Sequence, residues 1–249
     1  MMEAKVNSTP CMPGDTLDDQ VGDSSFDQDI YRQAIGCLLY KADISFAVGK
    51  LSKFCNNPAQ GNCKNVKSVM GYIKYTSDLK LTYSGLRSGV EVFCGADWAN
   101  DKNDSKSIGG YVVIMGGETV CWKSKKQQLV ATSTVKAEYI DMFETCKEVE
   151  WANNFLGELN MTDVLQKPYV IRTDNLGACD LSKKREISER TKHFRIRYYK
   201  VKEYVDNGNI VFKYAKSSEN VADIKTKELS ATKTNESHGR MGLEGPFEI

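Results

Sequence analysis

Val90-Glu91-Val92-Phe93-Cys94-Gly95-Ala96-Asp97-Trp98 alternates apolar side chains with others, which is the period of a half-buried strand, and the rest of the chain is read outward from it. Downstream, residues 108–115 and 118–123 are also strand-like, and Gly116-Gly117 between them is a two-residue hairpin signal. The three segments predict three antiparallel strands. Thr132-Ser133-Thr134 then supplies N-cap chemistry for a long helix to about Gly157, with Glu138, Met142, Thr145 and Val149 on one face. Residues 168–174 predict a short strand ending at Asp174-Asn175, residues 176–183 a helix, and a basic helix follows to about Val205. Asn207-Gly208 turns the chain into a strand over 210–215, and residues 219–229, with Ala222-Asp223-Ile224, predict a last helix.

Strands in this order with interspersed helices predict an α/β fold, a mixed sheet flanked by helices. Upstream of it, apolar residues at helical spacing predict three helices, over 29–40, from Asp43 as N-cap to the stop at Asn56-Asn57-Pro58, and over 62–75. Four parts are therefore expected: a disordered polar leader (1–25), a small helical segment (26–84), the α/β domain (85–229), and a loose C-terminal tail (230–249) that shows no periodicity.

With 249 residues, 41% hydrophobic and 27% charged, the chain is long enough to bury a sizeable core. No apolar run reaches membrane-spanning length and no signal-like segment opens the chain, so a cytoplasmic or nuclear location is expected, with no membrane partner. Eight cysteines are scattered without any C-x-x-C pair, and only His193 and His238 are present. Buried reduced thiols are expected rather than zinc ligands or disulfides.

The net charge of +1 makes the molecule no polycation, yet nine basic residues crowd between Lys183 and Lys202 against Glu186 and Glu189. Phe194, Tyr198 and Tyr199 are interleaved with them. A solvated helix face and a phosphate-binding surface both fit this pattern. The candidates for nucleic-acid contact are Lys183, Lys184, Arg185, Arg190, Lys192 and Arg195.

Several runs carry a resemblance to a known family. They are Ala96-Asp97-Trp98-Ala99, Gly110-Tyr111-Val112, Trp122-Lys123-Ser124-Lys125-Lys126-Gln127, Ala137-Glu138-Tyr139, Thr173-Asp174-Asn175, Arg190-Thr191-Lys192-His193 and Ala222-Asp223-Ile224 with Thr226-Lys227. Each is weak alone, but their joint order and spacing resemble the ribonuclease H domain of copia-type retrotransposon Pol polyproteins. Residues 31–36, 51–54 and Asn57-Pro58 resemble the segment that links the reverse transcriptase to that domain. The resemblance implies a ribonuclease H-like five-stranded sheet and two-metal hydrolysis of the RNA strand of an RNA–DNA hybrid. It implies two Mg²⁺ ions held by carboxylates, since hard oxygen ligands suit magnesium, and no small-molecule cofactor. Hybrid recognition would then read groove shape, phosphates and ribose hydroxyls.

Carried over residue by residue, Glu138, Asp174 and Asp223 match three of the four family carboxylates, as catalytic residues and metal ligands. Taken singly, each has an ordinary structural role open to it: an acid early in a helix, a turn cap, a solvated helix residue. The fourth family position is Gly95, which has no ligand to offer. Asp97, the further metal-ligand candidate, lies on the same strand face but about 6.7 Å further along, a distance its short side chain is expected not to make up at a metal–oxygen distance of about 2.1 Å. Impaired or absent turnover is therefore expected. A binding module of the same fold, or an inert remnant, is the alternative. Around Leu39-Tyr40-Lys41-Ala42-Asp43 the family has a few more residues, and the Tyr-x-Asp-Asp setting of a polymerase is absent.

Overall fold

The structure is a computed structural model that describes residues 5–11, 27–81, 83, 89–101, 103–161, 166–184 and 195–245. It divides into two compact units, residues 1–82 with 227–249, and residues 83–226.

In the first unit, α1 (Gln28–Leu38) starts at Asp27, whose carboxylate accepts from the N–H groups of Asp29 (2.9 Å) and Ile30 (3.3 Å). Tyr31, Ile35 and Leu38 form its buried stripe. It packs with α2 (Ser45–Ser52) and α3 (Gln60–Tyr75) around Ile44, Val48, Leu51, Val66, Val69 and Tyr72. Asp43 is not the N-cap its position predicts. It lies in a 3-10 turn (Ala42–Ile44), and its buried Oδ2 accepts from Lys41 Nζ (2.9 Å) and the Tyr72 hydroxyl (2.8 Å). Part of the expected leader is also ordered: Asn7 Nδ2 donates to Ser68 O (3.2 Å), and the Lys5 carbonyl lies where a Cβ on Gly71 would be. Residues 12–26 fall outside the described residues. A short β1 (Lys80–Leu81) ends this part.

The second unit carries the expected mixed sheet. Its strands are β2 (Val90–Asp97), β3 (Ile108–Met115), β4 (Glu118–Lys126), β5 (Tyr169–Thr173) and β6 (Ile210–Tyr214), in the spatial order β4-β3-β2-β5-β6. β2, β3 and β4 are antiparallel, with Gly95 opposite Gly110, whereas β2–β5 and β5–β6 are parallel. Gly116 and Gly117 take φ of 66° and 95°, left-handed values that let two residues close the β3–β4 hairpin with the sheet's own twist.

Ser133 caps α4 (Thr134–Glu158), its hydroxyl accepting from the Lys136 N–H at 3.3 Å. The helix lays Tyr139, Met142, Cys146 and Val149 on Val92, Cys94, Tyr111 and Val113 of the sheet. Tyr198 and Val201 of α6 (Arg195–Asp206) join that core, as do Ala178 and Cys179 of α5 (Leu176–Lys183). The fold is α/β, a mixed five-stranded sheet flanked by helices. β3 is approached from both sides: a Cβ on Gly109 would fall within 2.0 Å of the Asp141 carboxylate of α4, and one on Gly110 would fall 2.5 Å from Lys225 Cβ of α7 (Asp223–Thr226). That last helix is four residues long, not the eleven read from residues 219–229. Asn220 turns the chain just before it, and its side-chain oxygen accepts from the Ala222 N–H at 3.1 Å.

The tail expected to be loose is folded into the first unit. Ser230 caps α8 (Ala231–Arg240), and β7 (Leu243–Glu244) pairs with β1. The buried face of α8 is polar, made of Thr234, Ser237 and His238, so no apolar period marks it. His238 Nε2 lies 2.6 Å from the Tyr72 hydroxyl and 3.4 Å from Asp43 Oδ2. Of the eight cysteines Cys63, Cys94, Cys146 and Cys179 are buried and Cys37 is exposed; all are free thiols. Among the described residues no helix is long and apolar enough to cross a membrane.

Candidate active site

The carboxylates singled out by the sequence come from four elements, β2, β5, α4 and α7. β2 delivers Gly95 and Asp97, and parallel β5 ends at Thr173 with Asp174 immediately after. α4 brings Glu138 in its second turn, and α7 opens on Asp223. Glu138 and Asp223 are 6% and 3% exposed, whereas Asp174 is half-buried.

Burial is the main cause that pushes the Glu138 carboxyl up to about 8, and the Asp174 carboxylate is the next, with a smaller push from Asp223. Two donors work against that rise, the Ala96 N–H of β2 and the Thr173 hydroxyl, which lies 3.2 Å from Oε2. Glu138 thus feels both of the other acids. Asp174 accepts from the Ser217 hydroxyl at Oδ2 (2.6 Å) and from Asn220 Nδ2 at Oδ1 (3.3 Å). The same Asn220 amide, 3% exposed, also donates to the Cys94 carbonyl at 3.1 Å. It links β2 near Gly95, the end of β5 beside Asp174 and the entry to α7 before Asp223. Nothing in the motif reading singled out Asn220. The available signal was an Asn two residues ahead of Ala222, an ordinary Asx-turn placement.

Gly95 lies on the α7 side of β2. A Cβ built on it would meet Asn220 Nδ2 at 3.2 Å and Ala222 Cβ at 3.8 Å, so a Cβ there requires the Asn220 amide to give by a few tenths of an ångström. Asp97 is turned to its own loop, where it accepts from Asn100 Nδ2.

The expected metal cluster needs correction in one respect. Among the described residues no three acidic, histidine or cysteine side chains converge closely enough to hold a metal ion. Glu138 and Asp174 repel each other and each turns to local donors, and residue 95 contributes no oxygen between them. Glu138, Asp174 and Asp223 supply carboxylate oxygens, the hard donors that Mg²⁺ prefers, but in this arrangement they do not converge on one point. Burial, more than the neighbouring acids, raises the Glu138 carboxyl, and a cation beside it would lower it again.

Of the basic candidates, Lys183 and Lys184 stand at the end of α5 and Arg195 opens α6. Arg195 lies with its guanidinium 5.5 Å from the Tyr199 ring. Arg185, Arg190 and Lys192 fall outside the described residues.

No family model matches the chain. The retrovirus-related Pol polyprotein from transposon TNT 1-94 of Nicotiana tabacum is 36% identical over 208 residues, covering 82% of this chain and 15% of that protein. The corresponding polyprotein from transposon RE1 of Arabidopsis thaliana is 32% identical over 248 residues, 98% of this chain and 17% of that protein. Among solved structures, LC11-RNase H1 isolated from compost superposes with a TM-score of 0.42 at 16% identity, covering 56% of this chain and 94% of its own. The chain spans less than a fifth of the length of those two Pol relatives. The sequence matches over most of its length show that this chain belongs to the copia-type retrovirus-related Pol polyproteins.

Proposed function

We propose that residues 83–226 are a ribonuclease H-type hydrolase domain whose reaction is Mg²⁺-dependent cleavage of the RNA strand of an RNA–DNA hybrid, with turnover impaired by Gly95. The observation that carries this reading is the buried Glu138, set against Asp174 and Asp223 where β2 and β5 end. Glu138, Asp174 and Asp223 are the residues that would hold magnesium. The metal would supply activation of a water and stabilisation of the leaving oxygen.

The protein's own groups do the rest. Thr173 and the Ala96 N–H orient Glu138, while Ser217 and Asn220 orient Asp174. Near neutral pH the Glu138 carboxyl keeps its proton until a positive charge displaces it. Lys183, Lys184, Arg185, Arg190, Lys192 and Arg195 are proposed to grip the hybrid backbone, a contact that carries no sequence information.

A second reading, a hybrid-binding module that breaks no bond, is favoured by one specific feature. Both oxygens of Asp174 are engaged by neutral donors next to a position without a ligand.

The discriminating experiment is a magnesium-dependent cleavage assay on a labelled hybrid, run on this chain and on Gly95→Asp. Appreciable cutting is expected only from the substituted protein. Equal cutting by both removes the missing ligand as the cause of impairment, and salt-dependent hybrid binding without cutting by either supports the binding module.

A further inference from the structure

Alongside α4, between its inner half and strands β3 and β4, lies a groove of about 400 Å³ that reaches Arg197 on α6. Its lining includes Lys123, Lys125, Lys126, Lys147 and Arg197 against Glu144. These cations are not equally committed. Lys126 is held by Asp101 and Asp104 at 2.7 and 2.8 Å, and Glu144 is shared by Lys123 (3.2 Å) and Lys147 (2.8 Å). Lys125 is exposed, and among the described residues the buried Nε of Arg197 meets no acceptor. Phe143 fixes two of the cations over its ring, Lys147 Nζ at 4.9 Å from the centroid and the Arg197 guanidinium at 6.0 Å. Below them Asp141 is packed on Gly109 and accepts from Gln127 Nε2 at 2.5 Å. Burial pushes its carboxyl well above the usual carboxylate range, which lessens the negative charge it sets against the cations.

Position decides what such a groove could serve. Lys126 pairs with Ile108, and Ile108 with Asp97, so the groove opens level with the end of β2 that carries the candidate site. From Glu138 to Lys147 the helix rises about 13.5 Å. At about 3.4 Å of rise per nucleotide along a duplex, that is roughly four nucleotides.

We propose that this groove is a phosphodiester-binding track, in which Arg197, Lys125, Lys147 and Lys123 hold one strand of a nucleic acid on the side leading away from Glu138. The proposal rests on the hybrid-cleaving or hybrid-binding reading above and adds the residues and path that it lacks.

The test uses the full chain and a fluorescein-labelled RNA–DNA hybrid, with anisotropy read across salt concentrations. Lys125→Gln combined with Arg197→Gln removes two phosphate contacts, so the slope of log K against log salt should fall in magnitude by about 1.8. Lys125→Glu alone leaves the packing of α4 and α6 intact and should weaken binding at low salt roughly tenfold. If the unsubstituted chain binds the hybrid with a steep salt dependence and both variants match it, the track is wrong and the hybrid reading stands. If the unsubstituted chain shows no salt-dependent binding, the hybrid reading and the track fall together. Displacement of the hybrid by polyglutamate as readily as by unlabelled hybrid also overturns the track, because the groove would then be a general anion surface.

Discussion

Placing an acid at position 95 should make the second unit less stable without divalent cations and newly responsive to them. Gly95 lies within β2 at a backbone conformation that carries no left-handed φ, and the nearest atoms to a new Cβ are Asn220 Nδ2 at 3.2 Å and Ala222 Cβ at 3.8 Å. Filling a glycine in a strand should itself regain about 0.5–1 kcal/mol. The added carboxylate, however, joins Asp174 and Glu138, whose carboxyl is already raised to about 8 by burial, with Asp174 adding to the rise. At an effective dielectric of about 20, two like charges about 5 Å apart repel by roughly 3 kcal/mol. The net cost of Gly95→Asp is then on the order of 2 kcal/mol, or about 4–8 °C in Tm for a domain of roughly 150 residues. With about 10 mM Mg²⁺ and a dissociation constant near 1 mM, binding returns about 1.4 kcal/mol. Thermal unfolding of parent and variant, with and without Mg²⁺ and with Ca²⁺ as a second ion, reads both quantities. A Tm gain from Mg²⁺ that is the same in the parent as in Gly95→Asp would refute the reasoning.

Other consequences follow from neighbouring groups. Because the folded-state carboxyl of Glu138 is raised from 4.5 to about 8, its ionisation is penalised in the native state. The penalty is absent below about pH 4.5, grows as pH rises and levels off above about pH 8. Glu138→Gln should therefore match the parent at pH 4 and exceed it by on the order of 2 kcal/mol at neutral pH in urea unfolding without divalent ions; equal stability at both pH values would count against it. In the first unit the sign is opposite. Burial opposes ionisation of Asp43, but the hydrogen bonds and charges of His238 and Lys41 prevail and hold its carboxyl well below the usual range. That stability is present at neutral pH and is lost as pH falls below about 4, so Asp43→Asn should cost about 3 kcal/mol at pH 7 and much less in acid, measured by circular dichroism. Asn220→Ala leaves the Cys94 carbonyl and the Ala222 N–H short of a partner and should cost roughly 2–3 kcal/mol, whereas a loss under about 0.5 kcal/mol would mean the amide is not a structural tie.

What could be read in the sequence, and what could not, separates along physical lines. β2, the Gly116-Gly117 hairpin, the Ser133 cap and the order of elements rest on local rules of period and turn chemistry, and the structure has all of them. α8 escaped because its buried face is Thr234, Ser237 and His238, side chains that give no apolar period. Asp43 looked like a helix cap because its partners, Tyr72 and His238, come from distant parts of the chain. The acids of the candidate site were legible as letters in a familiar order. Their present arrangement was not, since it depends on Asn220, Ser217 and Thr173, which no motif distinguishes from turn residues.

The most direct measurement is Mn²⁺ titration of the isotope-labelled chain, followed by paramagnetic broadening of its amide resonances. If Glu138, Asp174 and Asp223 face one cation site, the resonances around all three should broaden together at low Mn²⁺, and Mg²⁺ should reverse the effect. Broadening around only one of them, or first at the Asp101 and Asp104 loop, would contradict a shared site.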